Sequence, residues 1–477
     1  MSEQGITRRQ FLEAGLGALA GVALDPLLDL PQAWADEGSV GALARPNLVY
    51  IFADQLRACS VGCYGNSEVS TPHIDQLAAQ GARFTNAVST SPLCTPHRGC
   101  LLTGRYPNVT GVMQNGVKLP QAEVGIAEVL SLGGYLTQYI GKWHLNGPTP
   151  NPPSDPGWVA PKDRQGFQKW LAFNMGHIYY GGHYYQDKNP AIQTIPAGVY
   201  EPDFQTEQAI SFITANQARR FCLFLSIGTP HPGSEPDLPP GGDYLFPYDP
   251  NSLTLRPNVD YPDTGYSRQE YADYYGTVSD LDWNVGRILE TLDSLGLAGR
   301  TIVAVSSDHG DYLGSHYGAI GVFRGKARIE AECLDVPFLL RYPGRVAPRV
   351  VDEAFTSVDI MPTLLGLCSL AVPSGVMGRD FSPLLRGSGA PIEPPWGPVP
   401  STESALVGMF AGSWVGLRTM GYSLECDRVT LLPARLFDNT ADPYQLTNVV
   451  DDPAYEPVRN ALHDELLAWM DYVQPPR

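Results

Sequence analysis

The chain of 477 residues is predicted to be an α/β protein, with a mainly parallel central sheet sandwiched by helices and a smaller C-terminal α+β unit. Three apolar, β-rich runs carry the prediction: Leu48-Val49-Tyr50-Ile51-Phe52, Phe221-Cys222-Leu223-Phe224-Leu225-Ser226-Ile227 and Thr301-Ile302-Val303-Ala304-Val305. Continuous runs of this kind suit strands covered on both faces. Each soon meets polar residues, Asp54, His231 and Asp308, and ligands of open α/β sheets collect at such strand ends.

Between the last two runs, Val278, Leu281, Val285, Ile288, Leu292 and Leu295 recur in steps of three and four, and Gly296 and Gly299 follow. That spacing predicts a helix, then a turn, then a strand. Residues 145–170 and 228–265 are rich in Pro, Gly, Asp and Tyr and read as long surface loops able to roof a site. Beyond residue 370 the pattern shifts to short segments at 413–420 and 422–431 and a terminal helix over about 455–472. The expected divisions are a leader at 1–35, a catalytic domain at 36–370 and a subdomain at 371–477.

A hydrophobic content of 43% supplies a sizeable core for this length. The net charge of -18 argues against nucleic acid or anionic membranes as partners, so an anionic substrate needs a locally positive pocket. Thr7-Arg8-Arg9-Gln10-Phe11-Leu12, an apolar run over 14–24 and Ala33-Trp34-Ala35 have the order of a twin-arginine export signal. The run falls well short of the roughly 20 residues that span a bilayer. The expectation is a periplasmic or secreted protein that uses the twin-arginine translocase and keeps no membrane anchor after processing. Eight cysteines in so long a chain are not a disulfide scaffold. A bridge between Cys59 and Cys63 stays open.

The most informative local pattern is Cys94-Thr95-Pro96-His97-Arg98, followed by Leu101-Leu102-Thr103-Gly104-Arg105. If a helix begins at Cys94, Arg98 sits one turn on. Only three residues separate Cys from Arg, too few for a thiol phosphatase loop. This junction resembles the sulfatase signature, in which the cysteine is oxidised to Cα-formylglycine by a modifying enzyme. Further motifs extend the resemblance from Pro46 to Asp452. They are the opening strand ending at Asp54, Gly141-Lys142-Trp143-His144, Ser307-Asp308-His309-Gly310-Asp311, and a closing Leu436-Phe437-Asp438 to Asp442-Pro443-Tyr444 with Asn448.

The resemblance implies the alkaline-phosphatase-like superfamily and a small sulfate-ester substrate. It implies Asp54, Gln55, Asp308, His309 and oxidised Cys94 as ligands of one divalent ion, usually Ca2+ with such oxygen donors. Cys94 becomes the nucleophile. Arg98, Lys142 and His144 meet the sulfate charge, and His144 is also a candidate base for expelling sulfate. His231, in Thr229-Pro230-His231-Pro232, and Lys326 support the leaving oxygen, while nearby Arg324 is the residue most easily mistaken for Lys326. His316 matches a family position without a derivable task.

Gln55 departs from the family pattern, where a second aspartate is common. Together with His309 it resembles the branch containing choline sulfatases and phosphonate monoester hydrolases, which keeps Mn2+ or Mg2+ in view. A phosphonate monoester or phosphodiester hydrolase on the same scaffold is the alternative activity. A non-catalytic anion-binding homologue is the rival from another class. Finally, Trp170, Phe173, Tyr179, Tyr180, Tyr184 and Tyr185, with His177 and His183, form a cluster that reads either as a substrate wall or as a core edge.

Overall fold

The computed structural model describes residues 45–148, 157–233, 246–389, 392, 393, 397, 401, 403–409 and 412–473. The expected leader at 1–35, and the parts of the expected loops at 149–156 and 234–245, lie outside these residues. Among the described residues the main sheet has ten strands.

In chain order the strands begin with β1 (Asn47–Asp54), β2 (Ala82–Phe84), β3 (Ala87–Val88), β4 (Leu136–Lys142), β5 (Lys169–Phe173), β6 (His183–Gln186) and β7 (Gln193–Thr194). Then come β8 (Phe221–Pro230), β9 (Thr301–Ser307), β10 (Phe338–Arg341), β11 (Arg349–Val351) and β12 (Phe355–Thr356). The order across the sheet is β11-β2-β10-β9-β1-β8-β4-β5-β6-β7, while β3 and β12 pair apart. Strands β9, β1, β8, β4 and β5 are parallel neighbours, and β10 is antiparallel to β9.

Alternation along each strand explains why these runs are apolar throughout. Leu48, Tyr50 and Phe52 of β1 join a core that includes Leu101, Ile126 and Leu364, on the face covered by helices Cys94–Thr103, Ile126–Leu132 and Ile360–Leu367. Val49 and Ile51 enter the opposite core with Ile74, Ile213 and Val285, under helices Pro72–Gln80, Glu201–Ala215 and Gly265–Ser294. Both faces are dry. A strand in this position has no solvent side on which to carry polar residues.

The helix Gly265–Ser294 starts earlier than the sequence spacing predicts, at the last residue of the segment expected to be loop. Tyr271, Tyr274 and Tyr275 are buried and extend the stripe of Val278 and Leu281 upstream, and the Thr264 side chain accepts a hydrogen bond from the backbone of Ser267 to cap the first turn.

The C-terminal sheet is antiparallel and ordered β13 (Ala405–Met409), β14 (Trp414–Arg418), β15 (Tyr422–Asp427), β16 (Pro433–Asp438). The sequence predicts β14, β15 and the terminal helix Glu456–Tyr472, but not the edge strands β13 and β16. Leu462, Leu466 and Trp469 of the helix pack with Val415, Leu424 and Leu436 of the sheet. No described helix is long and apolar enough to cross a membrane.

Helix Gly265–Ser294 also buries Asp280, whose carboxyl is pushed up to about 8 by burial and by the charge of Asp203. The folded chain thus keeps a proton that the unfolded chain sheds near pH 4, so this group's contribution to stability falls as pH rises from about 4 to about 8. Asp280→Asn is expected to reduce that fall by up to about 1.4 kcal/mol per pH unit. Urea unfolding at pH 5 and pH 8 reads it; equal losses in both chains would contradict the assignment.

Candidate active site

The parallel neighbours β9, β1, β8 and β4 end on one edge, and each delivers polar residues there. Strand β1 ends in Asp54; β9 leads into Asp308 and His309; β8 leads into His231; β4 ends in Lys142. The β1 to β8 register shifts at Asp54, and the His231 N–H donates to the Asp54 carbonyl at 3.0 Å. Gly141 has φ +98°, and a Cβ there would lie 2.0 Å from the Ser226 carbonyl oxygen. Only glycine lets β4 approach β8 closely enough to set Lys142 in place.

The fourth wall is the helix Cys94–Thr103, buried along its whole length. Cys94 opens the helix, where its N-terminal dipole favours negative charge, and Arg98 lies one turn later on the same face. The Arg98 guanidinium bridges both acids, with Nη2 at 3.0 Å from Asp54 Oδ2 and 3.2 Å from Asp308 Oδ2. Its Nη1 donates to the Lys142 carbonyl at 2.6 Å and to Ser226 Oγ at 2.8 Å. Arg98 therefore meets the site from beneath the carboxylates, which leaves their Oδ1 atoms for the opposite side.

Those Oδ1 atoms converge with Cys94 Sγ and His309 Nε2, all four within 4.8 Å of one another. Sγ is 3.2 Å from His309 Nε2 and 3.7 Å from Asp54 Oδ1, and His309 Nε2 is 3.4 Å from Asp308 Oδ1. Two carboxylates, an imidazole and residue 94 buried around one point fit a divalent cation. The His309 Nδ1 contact with the Gly310 carbonyl, 2.9 Å, fixes the ring with Nε2 inward.

The lysines close the site from the other side. Lys142 Nζ is 2.7 Å from Asp54 Oδ2 and 3.7 Å from Sγ. Lys326 Nζ is 3.2 Å from Sγ and 3.0 Å from Gln55 Oε1. Gln55, expected as a fifth ligand, thus presents its amide oxygen to Lys326, while its backbone N–H donates to Asp308 Oδ1 at 3.1 Å. Arg324 pairs with Asp311 and donates to the Pro230 carbonyl. Asp311 also accepts from the Gly325 N–H at 2.9 Å, which holds the loop that carries Lys326.

Strand β4 stops at Lys142, so His144 does not continue its alternation. It sits in a left-handed turn, φ 57°, where its N–H donates to the Asn174 carbonyl. Both ring nitrogens are buried without a hydrogen-bond partner among the described residues. His316 lies outside the cluster, against Glu332 at 3.5 Å.

His177 is a member that the motifs do not reveal. Its Nε2 is 2.8 Å from Lys142 Nζ and 3.6 Å from Asp54 Oδ2, and its ring stacks on His231 at 4.1 Å. The available signal is topological: β5 is the parallel neighbour of β4 and ends at Phe173, so residues just beyond it reach the same edge. The aromatic cluster around it is mostly core, with Trp170, Phe173, Tyr179 and Tyr185 buried, and the Tyr179 hydroxyl donates to the His231 carbonyl.

Charge in the site is strongly redistributed. Burial raises a carboxyl, but Lys142, His231, His177 and Lys326 outweigh it and hold Asp54 well below the usual range. Asp308 moves up, through burial and then the charge of Asp54. Despite burial and Asp54, the two lysines and His309 pull the Cys94 thiol well below its ordinary value. Burial and Lys142 push His144 and His177 down; burial and Lys326 take His231 to about 3. These three rings are neutral at pH 7.

A parallel sheet whose carboxyl edge gathers two acids, a histidine and a helix-borne residue 94 defines the alkaline-phosphatase-like superfamily. Residues 46–370 match the family model described as Sulfatase. The chain is 37% identical to the ulvan-active sulfatase of Formosa agariphila, over 88% of this chain and 80% of that protein. It is 33% identical to the endo-4-O-sulfatase of Bacteroides thetaiotaomicron, over 91% and 93%, and 32% identical to arylsulfatase A of Homo sapiens, over 78% and 74%. The chain belongs to the sulfatase family and is an enzyme that hydrolyses sulfate esters.

Among solved structures, a Bacteroides thetaiotaomicron protein described in the metabolism of multiple glycosaminoglycans has a TM-score of 0.79 and 30% identity, covering 91% of this chain and 97% of that one. The phosphonate monoester hydrolase of Agrobacterium radiobacter shares the fold at TM-score 0.68 and 23% identity, over 90% and 96%. Family membership implies a metal ion and formylglycine.

Arg98→Gln removes the charge that bridges two buried acids, and breaking a buried ion pair costs about 3–5 kcal/mol. Urea unfolding in the presence of a chelator is expected to show a loss of that order; a loss below about 1 kcal/mol would mean that the acids do not depend on Arg98.

Proposed function

We propose that the enzyme cleaves sulfate monoesters of a saccharide through formylglycine made from Cys94, and that Asp54, Asp308, His309 and residue 94 hold a calcium ion. The observation that carries this reading is Cys94 Sγ itself, which lies within 3.7 Å of Lys142 Nζ, Lys326 Nζ, His309 Nε2 and Asp54 Oδ1. The sulfur stands in for the hydroxyls of the hydrated aldehyde. The saccharide comes from the relatives, an ulvan-active sulfatase and an endo-4-O-sulfatase.

Formylglycine hydrate supplies one hydroxyl to attack sulfur and a second whose deprotonation expels sulfate, so no water need attack the covalent ester. The ion, when bound, supplies charge that favours the deprotonated nucleophile and offsets the ester. The chain's own side chains do the rest. Lys142 and Lys326 are the cations at Sγ that attract and orient the sulfate oxygens. Against the effect of burial, the Cys94 thiol and the Asp54 and Asp308 carboxylates raise Lys326.

Neutral His231, stacked on His177 and tied by Tyr179, orients the leaving oxygen beside Lys326. His144 is neutral, buried and unpartnered at both nitrogens, which suits a base that takes the proton of the second hydroxyl. Gln55 and His309 also support a second reading, phosphonate monoester hydrolysis at the same centre. The same proposal sends the enzyme through the twin-arginine translocase to the periplasm or beyond, after a formylglycine-generating enzyme has acted on Cys94.

Cys94→Ala is expected to lower 4-nitrophenyl sulfate turnover by roughly a thousandfold or more. Peptide mass spectrometry of the native segment should find an aldehyde at position 94; an unmodified thiol in fully active enzyme would sink the mechanism. Chelation is expected to abolish turnover and calcium to restore it, whereas restoration by manganese alone would reassign the metal. A higher kcat/KM for phenyl phosphonate monoesters than for the sulfate ester would favour the second reading.

A further inference from the structure

At the end of the sheet remote from Cys94 lies a cleft of about 660 Å3 with a very different charge from the rest of the chain. Strand β10 runs antiparallel to β9, with Phe338 opposite Ser306 and Arg341 opposite Val303. The chain therefore leaves the catalytic edge as it enters Arg341, and four strand residues already span roughly 13 Å. The turn that follows and the start of β11 form one wall of the cleft, and the segment at Leu385 and Arg386 forms the other.

Four arginines line it, Arg341, Arg345, Arg349 and Arg386, and among the described residues its lining contains no carboxylate. Two acids reach the group from outside: Asp293, which is 3.5 Å from Arg341 Nη2 and itself more than half exposed, and Asp380, whose carboxyl feels the charge of Arg386. Arg349 Nη1 donates to the Leu384 carbonyl at 2.6 Å, and Arg386 Nη2 donates to the carbonyls of Gly366 and Leu367. Carbonyl dipoles orient these guanidinium groups without cancelling their charge. The Nε–H groups of Arg341 and Arg349 are buried and have no hydrogen-bond partner among the described residues.

Ordinary packing does not account for this arrangement. In a chain of net charge -18, four like charges around one concavity repel one another and are only partly offset by Asp293 and Asp380. A concave positive surface in an acidic protein focuses potential on an anion, and guanidinium forks match sulfate and carboxylate oxygens in pairs. The volume is that of a small-molecule site rather than of a single ion. Pro343 and Pro348 flank the turn, so its shape is largely set before binding.

We propose that this cleft is a second binding site, for the sulfate and carboxylate groups of an acidic saccharide chain, separate from the centre at Cys94. The proposal rests on the saccharide reading of the substrate given above. It assigns the cleft to holding a polyanionic chain on the enzyme while esters elsewhere on that chain are cleaved.

Binding of a chondroitin 4-sulfate oligosaccharide and of sodium sulfate to the full chain tests it, with Cys94→Ala as the background so that the probe is not consumed. Arg345 is exposed, so Arg345→Glu should fold normally. The oligosaccharide is expected to bind at least tenfold more weakly to the Glu variant and less than threefold more weakly to Arg345→Lys. It should also slow hydrogen exchange across residues 342–350. Unchanged affinity, or no protection of that segment, overturns the proposal. Equal protection by sodium sulfate, with nothing added by the oligosaccharide, overturns the saccharide assignment in favour of a simple anion site. In the native background, 4-nitrophenyl sulfate turnover is expected to be the same with Arg345 and with Glu at that position. Absence of that turnover in both would count against the proposed reaction, while the binding and exchange results would still decide the cleft.

Discussion

Two carboxylates, Asp54 and Asp308, are completely buried at the ends of adjacent strands and aim an oxygen at the same point. Nothing in the protein interior tolerates that pair alone, because two desolvated negative charges raise each other's energy steeply. Most of the conspicuous features of the site follow from this constraint. Arg98 is held beneath both acids; Lys142 is salt-bridged to one; the imidazole of His309 fills the gap between them. With Lys326 at Cys94, the fixed cations outnumber the fixed anions before any ligand enters. An acidic protein can in this way attract an anionic ester to one small region while repelling it from most of the surface.

The fold meets the constraint through adjacency. Parallel strands deliver their successors to one edge, and the order β9-β1-β8-β4-β5 sets five of those ends side by side. Residues far apart in sequence then become near neighbours at little local cost. Backbone strain appears at Gln55, just past β1, at His144, just past β4, and at Ala327 beside Lys326, all non-glycine residues with positive φ where the chain turns near a presented side chain.

Much of this was legible in the sequence, for identifiable reasons. Fully buried strands have no polar face, so Leu48-Val49-Tyr50-Ile51-Phe52 and its two counterparts announced themselves, and Asp54, Asp308 and His231 could be placed at their ends. Cys94, Arg98 and Lys142 came from the resemblance of their short segments to sulfatase motifs. What stayed hidden depended on neighbours in space. His177 reaches the site only because β5 lies beside β4, and no local pattern encodes that pairing. Arg98 reads as a cation for substrate until the fold turns it toward two acids. Helix Gly265–Ser294 begins well before Val278, with Tyr271, Tyr274 and Tyr275 rather than aliphatic residues carrying its buried stripe there.

The loop that carries Lys326 is fastened from an unexpected quarter. The Trp414 indole donates to the Ala327 carbonyl, Arg435 pairs with Glu330, the Gln445 side chain accepts from the Ala331 N–H, and Arg418 pairs with Asp335. All four anchors come from residues 414–445, C-terminal to every residue of the site. A growing chain therefore emerges with both metal-facing acids, residue 94 and Lys326 already synthesised, yet lacks the clamp that fixes the lysine. Order of synthesis follows from this: the clamp is made after every residue it holds in place.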